Sequence, residues 1–313
     1  MPIYQTAACP LDEAVRRQVP VVLSVFNRDV DVVLLADTLK AAGFARIVSF
    51  LELHASFASE LGDRFWLTGR DQISMGEDIA KADRLWADDT SVALYRGNIA
   101  LRQRGAYEGP VNRPKQSSQY MPIDVPGWLQ GEPLRFVDCG AYRGDTLEQL
   151  IDANKTVEAS ALFEPDADNF AVLARVSRER RQAIRDSLLL WPCAVTAKSG
   201  SVSFASGLDE ASSIRSDAET TVAAVALDDV LVGWRPSFIK MDIEGAEVDA
   251  LNGARRTIAE YRPDLAICVY HRPDHLWAIP LLLASWPEMR GYGFYLRSHG
   301  FNGFDTVLYV TPK

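Results

Sequence analysis

The sequence predicts a doubly wound α/β fold with a mostly parallel sheet, and three observations support this. Apolar, strand-like runs alternate with helical patterns along two stretches of the chain, which is typical of parallel strands joined by helices. In the second stretch, the first buried run leads into a glycine-containing turn at residues 140–144. Two further strand-like runs, 292–296 and 306–311, close the chain and predict an antiparallel hairpin at one edge of the sheet.

The composition is that of a globular protein and argues against a nucleic-acid partner. The 313 residues are 48% hydrophobic and 24% charged, with a formal net charge of −9. Phosphate binding requires a basic surface, and the arginine-rich stretch 175–185 has the spacing of an exposed helix. The four cysteines show no paired spacing, and we find no leader-like or membrane-spanning segment. We therefore expect a cytoplasmic protein without a nucleic-acid or membrane partner.

The first stretch of alternation predicts a small α/β unit. Residues 19–26 form an apolar run, 31–42 have a helical period, and 45–51 are again apolar. A strand, helix and strand in this order favour two parallel strands. The turn at residues 24–29 contains no glycine, so we do not expect a second nucleotide site there.

A stretch rich in proline, glycine and serine separates the two series. It runs from residue 105 to 133, and we place the domain boundary near residue 112. The sequence thus predicts an N-terminal accessory domain, 1–112, and a larger domain, 113–313. We expect the accessory domain to support homo-oligomerisation or to present the substrate.

The larger domain alternates strands and helices along most of its length. Each predicted strand is short and apolar, and each predicted helix has a period near 3.6 residues. The predicted strands are 134–139, 159–164, 187–195 (broken by Pro192), 201–205, 221–227, 238–243, 265–270 and the two of the hairpin. The predicted helices are 145–154, 166–185, 246–261 and 277–286.

The turn after strand 134–139 is the strongest local signal of a ligand site. Gly140 allows a close backbone approach, and Gly144 supplies the turn before the next helix. Tyr142 stands where a dinucleotide-binding turn needs its second glycine, which argues against such a cofactor. Asp138 would repel a pyrophosphate but suits a cationic ligand, such as the methionyl part of S-adenosylmethionine.

Glu164 is the second candidate ligand residue. It ends the next strand, is followed by Pro165, and lies 20 residues after Gly144 (164 − 144). An acidic residue about 20 residues beyond a glycine turn binds ribose hydroxyls in related folds. We therefore expect Glu164 to accept hydrogen bonds from the ribose of a nucleoside cofactor.

These motifs, in this order and at this spacing, resemble the FkbM family of methyltransferases. The resemblance covers the chain from about residue 117 onward and implies a class I methyltransferase fold, S-adenosylmethionine as cofactor, and methylation of a hydroxyl group, often on a sugar or natural product. The strings that carry it are Val137-Asp138-Cys139-Gly140-Ala141-Tyr142-Arg143-Gly144-Asp145-Thr146, Phe163-Glu164-Pro165, Ala211-Ser212-Ser213-Ile214, Leu227-Asp228-Asp229-Val230, Ile239-Lys240-Met241-Asp242-Ile243-Glu244-Gly245-Ala246-Glu247, Val269-Tyr270-His271-Arg272-Pro273 and Leu276-Trp277. The residues expected to bind the cofactor are Asp138, Gly140, Ala141, Tyr142, Gly144, Asp145, Thr146, Glu164, Pro165 and Asp242.

The catalytic residues are expected at the ends of two neighbouring strands. Lys240, Asp242 and Glu244 alternate at the end of strand 238–243, and His271 follows strand 265–270. His271 is our first choice for the general base, because an imidazole titrates near neutral pH. Asp242 is the second choice, either as base or as a ligand of Mg²⁺ together with Glu244. A structural salt bridge of Lys240 is the alternative to a catalytic role.

Other residues are weaker candidates. His275 departs from the family pattern, in which an acidic residue is commoner beside the Leu-Trp pair. A zinc or iron site of His271, His275 and His299 is the less favoured reading, since Pro273 interrupts the helical spacing. Tyr120 could cover the cofactor as part of a lid, and Ser212 and Ser213 could line the site.

The leading functional hypothesis is O-methylation of a small hydroxylated molecule. N-methylation and C-methylation stay open, because the shape of the loops decides the acceptor. A different class of function is a cofactor-binding scaffold or sensor without turnover.

Overall fold

The computed structural model describes residues 11–62, 65–67, 76–107, 111, 119–131, 133–207, 213–214 and 218–313. The strands in these residues form sheets of two, seven and four strands. They are β1 (Pro20–Val22), β2 (Arg46–Val48), β3 (Leu134–Cys139), β4 (Val157–Phe163), β5 (Leu188–Trp191), β6 (Ala194–Val195), β7 (Gly200–Ala205), β8 (Ser213–Ile214), β9 (Thr220–Val225), β10 (Phe238–Met241), β11 (Asp264–Cys268), β12 (Tyr292–Ser298) and β13 (Thr306–Pro312).

Helices join most of these strands, and local sequence explains where several of them begin. The Asp31 side chain accepts a hydrogen bond from the backbone of Val33, and Ser49 and Glu52 form a capping box. The α-helices are α1 (Glu13–Gln18), α2 (Val32–Ala41), α3 (Phe50–Ser56), α4 (Ala58–Leu61), α5 (Glu77–Ala82), α6 (Asp89–Arg104), α7 (Asp145–Asp152), α8 (Ala167–Glu179), α9 (Leu227–Val230), α10 (Glu247–Asn252), α11 (Arg255–Tyr261) and α12 (His275–Ser285). Among the described helices, none is long and apolar enough to cross a membrane.

The seven-stranded sheet positions the site. Its order is β12-β13-β11-β10-β3-β4-β5, and β13 is antiparallel to both of its neighbours while the other pairs are parallel. The chain runs from β3 to β5 toward one edge and then returns to β10 and continues toward the other. Ligands bind in the crevice at such a reversal, beyond the carboxyl ends of β3 and β10. The predicted α/β fold with a large, mostly parallel sheet is confirmed.

The predicted strand 187–195 is two strands in two sheets. β5 pairs with β4 in the large sheet, whereas β6 pairs with β9 in the four-stranded sheet. Pro192 lies between them and has no backbone N–H to continue a ladder. The predicted break at Pro192 is therefore present, and the piece after it belongs to a different sheet.

The predicted helix 246–261 is also divided. α10 ends before Gly253, where a Cβ atom would lie 2.2 Å from the carbonyl oxygen of Thr196. α11 then starts anew, because the Asp228 carboxylate accepts hydrogen bonds from the backbone N–H groups of Arg256 and Thr257. A contact with a distant segment thus sets the end of α10, which the helical period does not reveal.

The N-terminal segment packs on the large sheet through α6. The backbone N–H of Ala87 donates to the carbonyl of Phe294 in β12, and the hydroxyl of Ser91 accepts from the backbone of Leu296. β1 and β2 pair in parallel, as the first α/β unit predicts. The boundary near residue 112 lies outside the described residues, and the division into domains 1–112 and 113–313 stays a prediction.

Arg102 of α6 anchors the loop that follows β11. It is fully buried and donates hydrogen bonds to the carbonyl oxygens of Pro273 (2.6 Å) and Val269 (3.2 Å). Burial lowers the pKa of Arg102 to about 9. Since this loop also carries His271, α6 helps to position a candidate site residue.

Arg102→Met should lower the free energy of unfolding by about 2–4 kcal/mol, because buried carbonyl groups would lose their donors. Arg96→Met on the same helix should have a much smaller effect, since Arg96 pairs with Asp83 at the surface. Urea denaturation measures both values. Equal losses in the two variants would contradict the anchoring role.

Candidate active site

A cavity of about 490 Å³ opens at the carboxyl ends of β3, β4, β10 and β11. Its volume is within the range of small-molecule sites. Residues at the strand ends form one part of the wall, and residues of the N-terminal segment form another. The reversal of the sheet therefore carries a pocket, as expected for this topology.

Gly140 brings the turns after β3 and β10 into contact. Its φ of +79° lies in the left-handed region, and a Cβ atom would lie 2.0 Å from the carbonyl oxygen of Asp242. The backbone N–H of Asp242 donates to the carbonyl of Cys139 at 3.0 Å. The close approach that requires a glycine is thus to the neighbouring turn, and it places Asp242 beside the turn that follows β3.

A buried ion pair joins β3 to β10. The Lys240 Nζ atom lies 2.9 Å from Asp138 Oδ1 and donates to the carbonyl of Gly140 at 2.6 Å. Burial raises the pKa of Asp138 to about 7, although Lys240 opposes this. Burial disfavours the charged form of Lys240, but the carboxylates of Asp138 and Asp242 outweigh it and raise the pKa of Lys240. The structural salt bridge is present, and a catalytic role of Lys240 stays a prediction.

Glu164 extends from the end of β4 into the cavity wall. Its two carboxylate oxygens accept hydrogen bonds from the backbone N–H groups of Tyr142 (2.9 Å) and Asp166 (2.8 Å). Burial raises the pKa of Glu164 to about 7. Each oxygen accepts one of these backbone bonds, so each retains a lone pair for a further donor.

Asp242, Glu244 and His271 form a compact cluster. The Nε2 atom of His271 lies 3.2 Å from Asp242 Oδ1 and 3.4 Å from Glu244 Oε1. Burial opposes the charged imidazole, but the carboxylates around it raise the pKa of His271 well above its usual value. Glu244 has a φ of +54°, which is uncommon outside glycine and typical of functional sites.

The pKa values of the two carboxylates shift in opposite directions. Burial raises the pKa of Glu244. Burial acts on Asp242 in the same sense, but the close contact with His271 and the charges of Lys240 and His271 hold its pKa well below the usual range. Glu244 is therefore the more basic carboxylate of the pair.

Glu247 lies behind this cluster and is fully buried. Its Oε1 atom accepts from the backbone N–H groups of Ile243 (3.0 Å) and Gly245 (3.4 Å) and lies 2.8 Å from Nδ1 of His271. Burial raises the pKa of Glu247, but His271 and His275 reverse this and hold it well below the usual range. Glu247 thus ties the turn after β10 to the loop after β11.

The three histidines do not form one metal site. The Nδ1 atom of His275 lies 3.2 Å from Glu247 Oε2, and Nε2 of His299 lies 2.8 Å from the hydroxyl of Tyr309. In the described part of the chain, the group with metal-ligand spacing is Asp242, Glu244 and His271. The zinc or iron site of His271, His275 and His299 was therefore a wrong alternative.

Tyr120 is buried against the site. Its hydroxyl donates to Asp242 Oδ2 at 2.7 Å, and its ring centre lies 5.2 Å from the Lys240 Nζ atom. The Tyr120 backbone has a φ of +71°, and its N–H donates to the hydroxyl of Tyr309. Tyr120 thus orients Asp242, and its role as part of a lid stays a prediction.

The predicted site residues divide into those that line the cavity and those that lie behind it. Ser212 lies outside the described residues, and Ser213 belongs to β8. The lining residues are Gly140, Tyr142, Asp145, Glu164, Pro165, Lys240, Asp242 and Glu244. Those outside the lining of the described cavity are Asp138, Ala141, Gly144, Thr146 and His271.

The sequence reasoning missed the wall formed by the N-terminal segment. Phe26, Asn27, Arg28 and Phe65 line the same cavity as Glu164. The first three follow β1, so their position at a strand end was an available signal. That signal does not show which sheet edge they face, because the placement depends on contacts with the loop before β13.

The cluster and the cavity lie in a segment with a recognisable family sequence. The profile described as Methyltransferase FkbM domain matches residues 138–302, which is more than half of the chain. The chain belongs to the FkbM methyltransferase family. The resemblance inferred from the motifs is thereby confirmed, and this FkbM chain carries the family domain on the large sheet.

Solved structures add one informative neighbour. Methyltransferase FkbM from Methylobacillus flagellatus KT is 25% identical, with a TM-score of 0.71 over 93% of this FkbM chain and 73% of its own. SAH-bound methyltransferase PaMTH1 from Podospora anserina is 13% identical over 77% of this chain and 98% of its own, and its TM-score of 0.34 is too low to support an argument. No curated protein matches the chain closely enough to serve as a relative.

Lys240→Met should destabilise the protein by about 3–5 kcal/mol, because it leaves the carboxyl group of Asp138 buried without its cation. The double variant with Asp138→Leu should recover much of this loss, since an apolar pair can replace a buried ion pair. Chemical denaturation of both variants provides the test. A double variant that is no more stable than the single one would argue against this pair as the source of stability.

Proposed function

We propose that this protein is an S-adenosylmethionine-dependent O-methyltransferase that acts on a hydroxyl group of a sugar-like small molecule. One observation carries the proposal: a single cavity is lined by Glu164 and also by the pair Asp242 and Glu244. The first suits a ribose, and the second suits a hydroxyl group that must lose a proton.

The described residues fit the nucleoside part of the cofactor. Glu164 has lone pairs left for two hydroxyl donors, and Tyr142 and Phe163 lie beside it in the wall. Cys193 and Val195 add apolar surface to the cavity lining, which suits a purine ring. S-adenosylmethionine supplies an electrophilic methyl group on a sulfonium when it is bound.

Another group of lining residues suits a ring-shaped acceptor with polar groups. The rings of Phe26 and Phe65 each lie 5.0 Å from that of Phe304 and together form an apolar platform. Arg28 pairs with the buried Asp305 at 2.8 Å beside it. Burial raises the pKa of Asp305 to about 6, and both side chains can form charge-assisted hydrogen bonds with hydroxyl groups.

Methyl transfer requires the acceptor oxygen to be held in line and to lose its proton. A C–O bond forms as the C–S bond breaks, the electron pair of the broken bond stays on sulfur, and the hydroxyl proton passes to a base. Glu244 lines the cavity and has a raised pKa, so it is the better proton acceptor of the two lining carboxylates. His271 lies behind them and acts here as a positioning residue for Asp242.

Glu164→Gln should weaken binding of S-adenosylhomocysteine at least about tenfold, because an amide replaces a charged acceptor. Burial places the pKa of Glu164 at about 7, so wild-type affinity should rise as the pH increases through 7 and the carboxyl group becomes ionised. Isothermal titration between about pH 6 and 8 measures both effects. The ionised fraction of Glu164 should rise about tenfold across that range.

Glu158→Gln is the matched control, because Glu158 lies on the same strand and pairs with Arg135 away from the cavity. It should bind like the wild type. Absence of binding by the wild type would remove the methyltransferase proposal. Binding without turnover on any acceptor would favour the scaffold or sensor, and turnover on amines alone would favour an N-methyltransferase.

A further inference from the structure

We propose that Asp242, Glu244 and His271 form a binding site for a divalent cation, with Mn²⁺ preferred over Mg²⁺. The site includes more than two acidic ligands. The imidazole of His271 is the third ligand, and Glu247 orients it. Cation binding does not depend on the proposed function. Only the role of the cation in methyl transfer rests on that function.

The spacing of the three side chains fits a common ion. One ligand atom from each residue lies within 4.8 Å of the others, and Nε2 of His271 is 3.2 and 3.4 Å from the two carboxylate oxygens. Two ligands that are each about 2.1 Å from a metal ion and adjacent in its coordination sphere are about 3 Å apart. The observed distances therefore need only small side-chain movements to accept an ion.

A second observation points to a missing partner. The Nε2 atom of His271 and the Oδ1 atom of Asp242 are both buried, and neither forms a hydrogen bond of acceptable geometry among the described residues. The His271 side chain is only 2% exposed, and this nitrogen points between the two carboxylates. Buried polar atoms without partners are costly, and an ion between them would satisfy both.

Glu247 holds the imidazole in the orientation that a ligand needs. Because Glu247 Oε1 already accepts two backbone N–H groups, it acts as an acceptor toward His271, and Nδ1 is the donor. Binding of an ion would displace the second ring proton, so that Nε2 presents its lone pair to the ion between Asp242 and Glu244. A carboxylate that receives the distal N–H of a histidine is the usual support for a metal-binding imidazole.

The site would leave open positions toward the substrate. Asp242 and Glu244 line the cavity and are 24% and 19% exposed in their side chains, whereas His271 closes the site from behind. An acceptor hydroxyl could thus complete the coordination, which would lower its pKa and make loss of its proton easier. Arg28 and Asp305 would hold the rest of the acceptor.

The ligand set favours certain ions. Two carboxylates suit Mg²⁺ and Mn²⁺, whereas an imidazole suits transition metals and contributes little to Mg²⁺. Mn²⁺ accepts both ligand types, so it should bind more tightly than Mg²⁺. A direct nitrogen ligand also gives a spectroscopic signature with Mn²⁺, which is paramagnetic.

The test is titration of the chelator-treated, full-length protein with MnCl₂, followed by calorimetry and electron paramagnetic resonance. We expect one Mn²⁺ per chain, at least about tenfold weaker binding of Mg²⁺, and nitrogen modulation of the Mn²⁺ echo signal. His271→Gln should abolish the modulation and weaken Mn²⁺ binding at least about tenfold, and Glu247→Gln should weaken it by about 10–100-fold.

His299→Gln is the control and should leave Mn²⁺ binding unchanged, because His299 contacts Tyr309 and not the cluster. Thermal unfolding of each variant identifies any that fail to fold. No Mn²⁺ binding by the wild type at about 1 mM would overturn the proposal, as would binding without nitrogen modulation. S-adenosylhomocysteine binding is measured in parallel, so failure of the cation site is distinguishable from failure of the proposed function.

Discussion

The site depends on the carboxylate of Glu247, which is buried completely and still charged. Two backbone N–H groups of the turn after β10 and the imidazole of His271 compensate that charge. The same oxygen therefore fixes the turn that carries Asp242 and Glu244 and the loop that carries His271. Without this carboxylate, the loop after β11 would lose its hydrogen bond through Nδ1 of His271 to α10. The three side chains would then lose their common orientation.

The neighbouring strands also carry buried charged groups that are compensated by nearby groups. Lys240 and Asp138 lie in central strands that are buried on both faces, where charge is tolerated only in pairs. Their contact joins β10 to β3, and the close approach of Gly140 to Asp242 completes the link. The charged groups of three adjacent strands are thus held by one another, and the cavity lies above them. Arg102 extends this support to the N-terminal segment.

Local sequence patterns predicted the parts of this arrangement that depend on local interactions. The strand before Gly140 and the position of Glu164 follow from short apolar runs and a turn, and the structure has both at those places. The end of α10 at Gly253 depends on the carbonyl of Thr196, which is distant in sequence. The placement of His271 behind the wall depends on Glu247 for the same reason. The sequence patterns near Gly253 and near His271 do not indicate such contacts.

The N-terminal wall is the least predictable part, because Phe26 and Arg28 acquire a role only through Phe304 and Asp305. The most direct test of the whole account is a crystal structure of the protein with S-adenosylhomocysteine. We predict that the ribose hydroxyls lie within hydrogen-bonding distance of Glu164 and that the sulfur faces the side of the cavity formed by Asp242 and Glu244. A ligand bound elsewhere, or one whose ribose does not contact Glu164, would contradict the account.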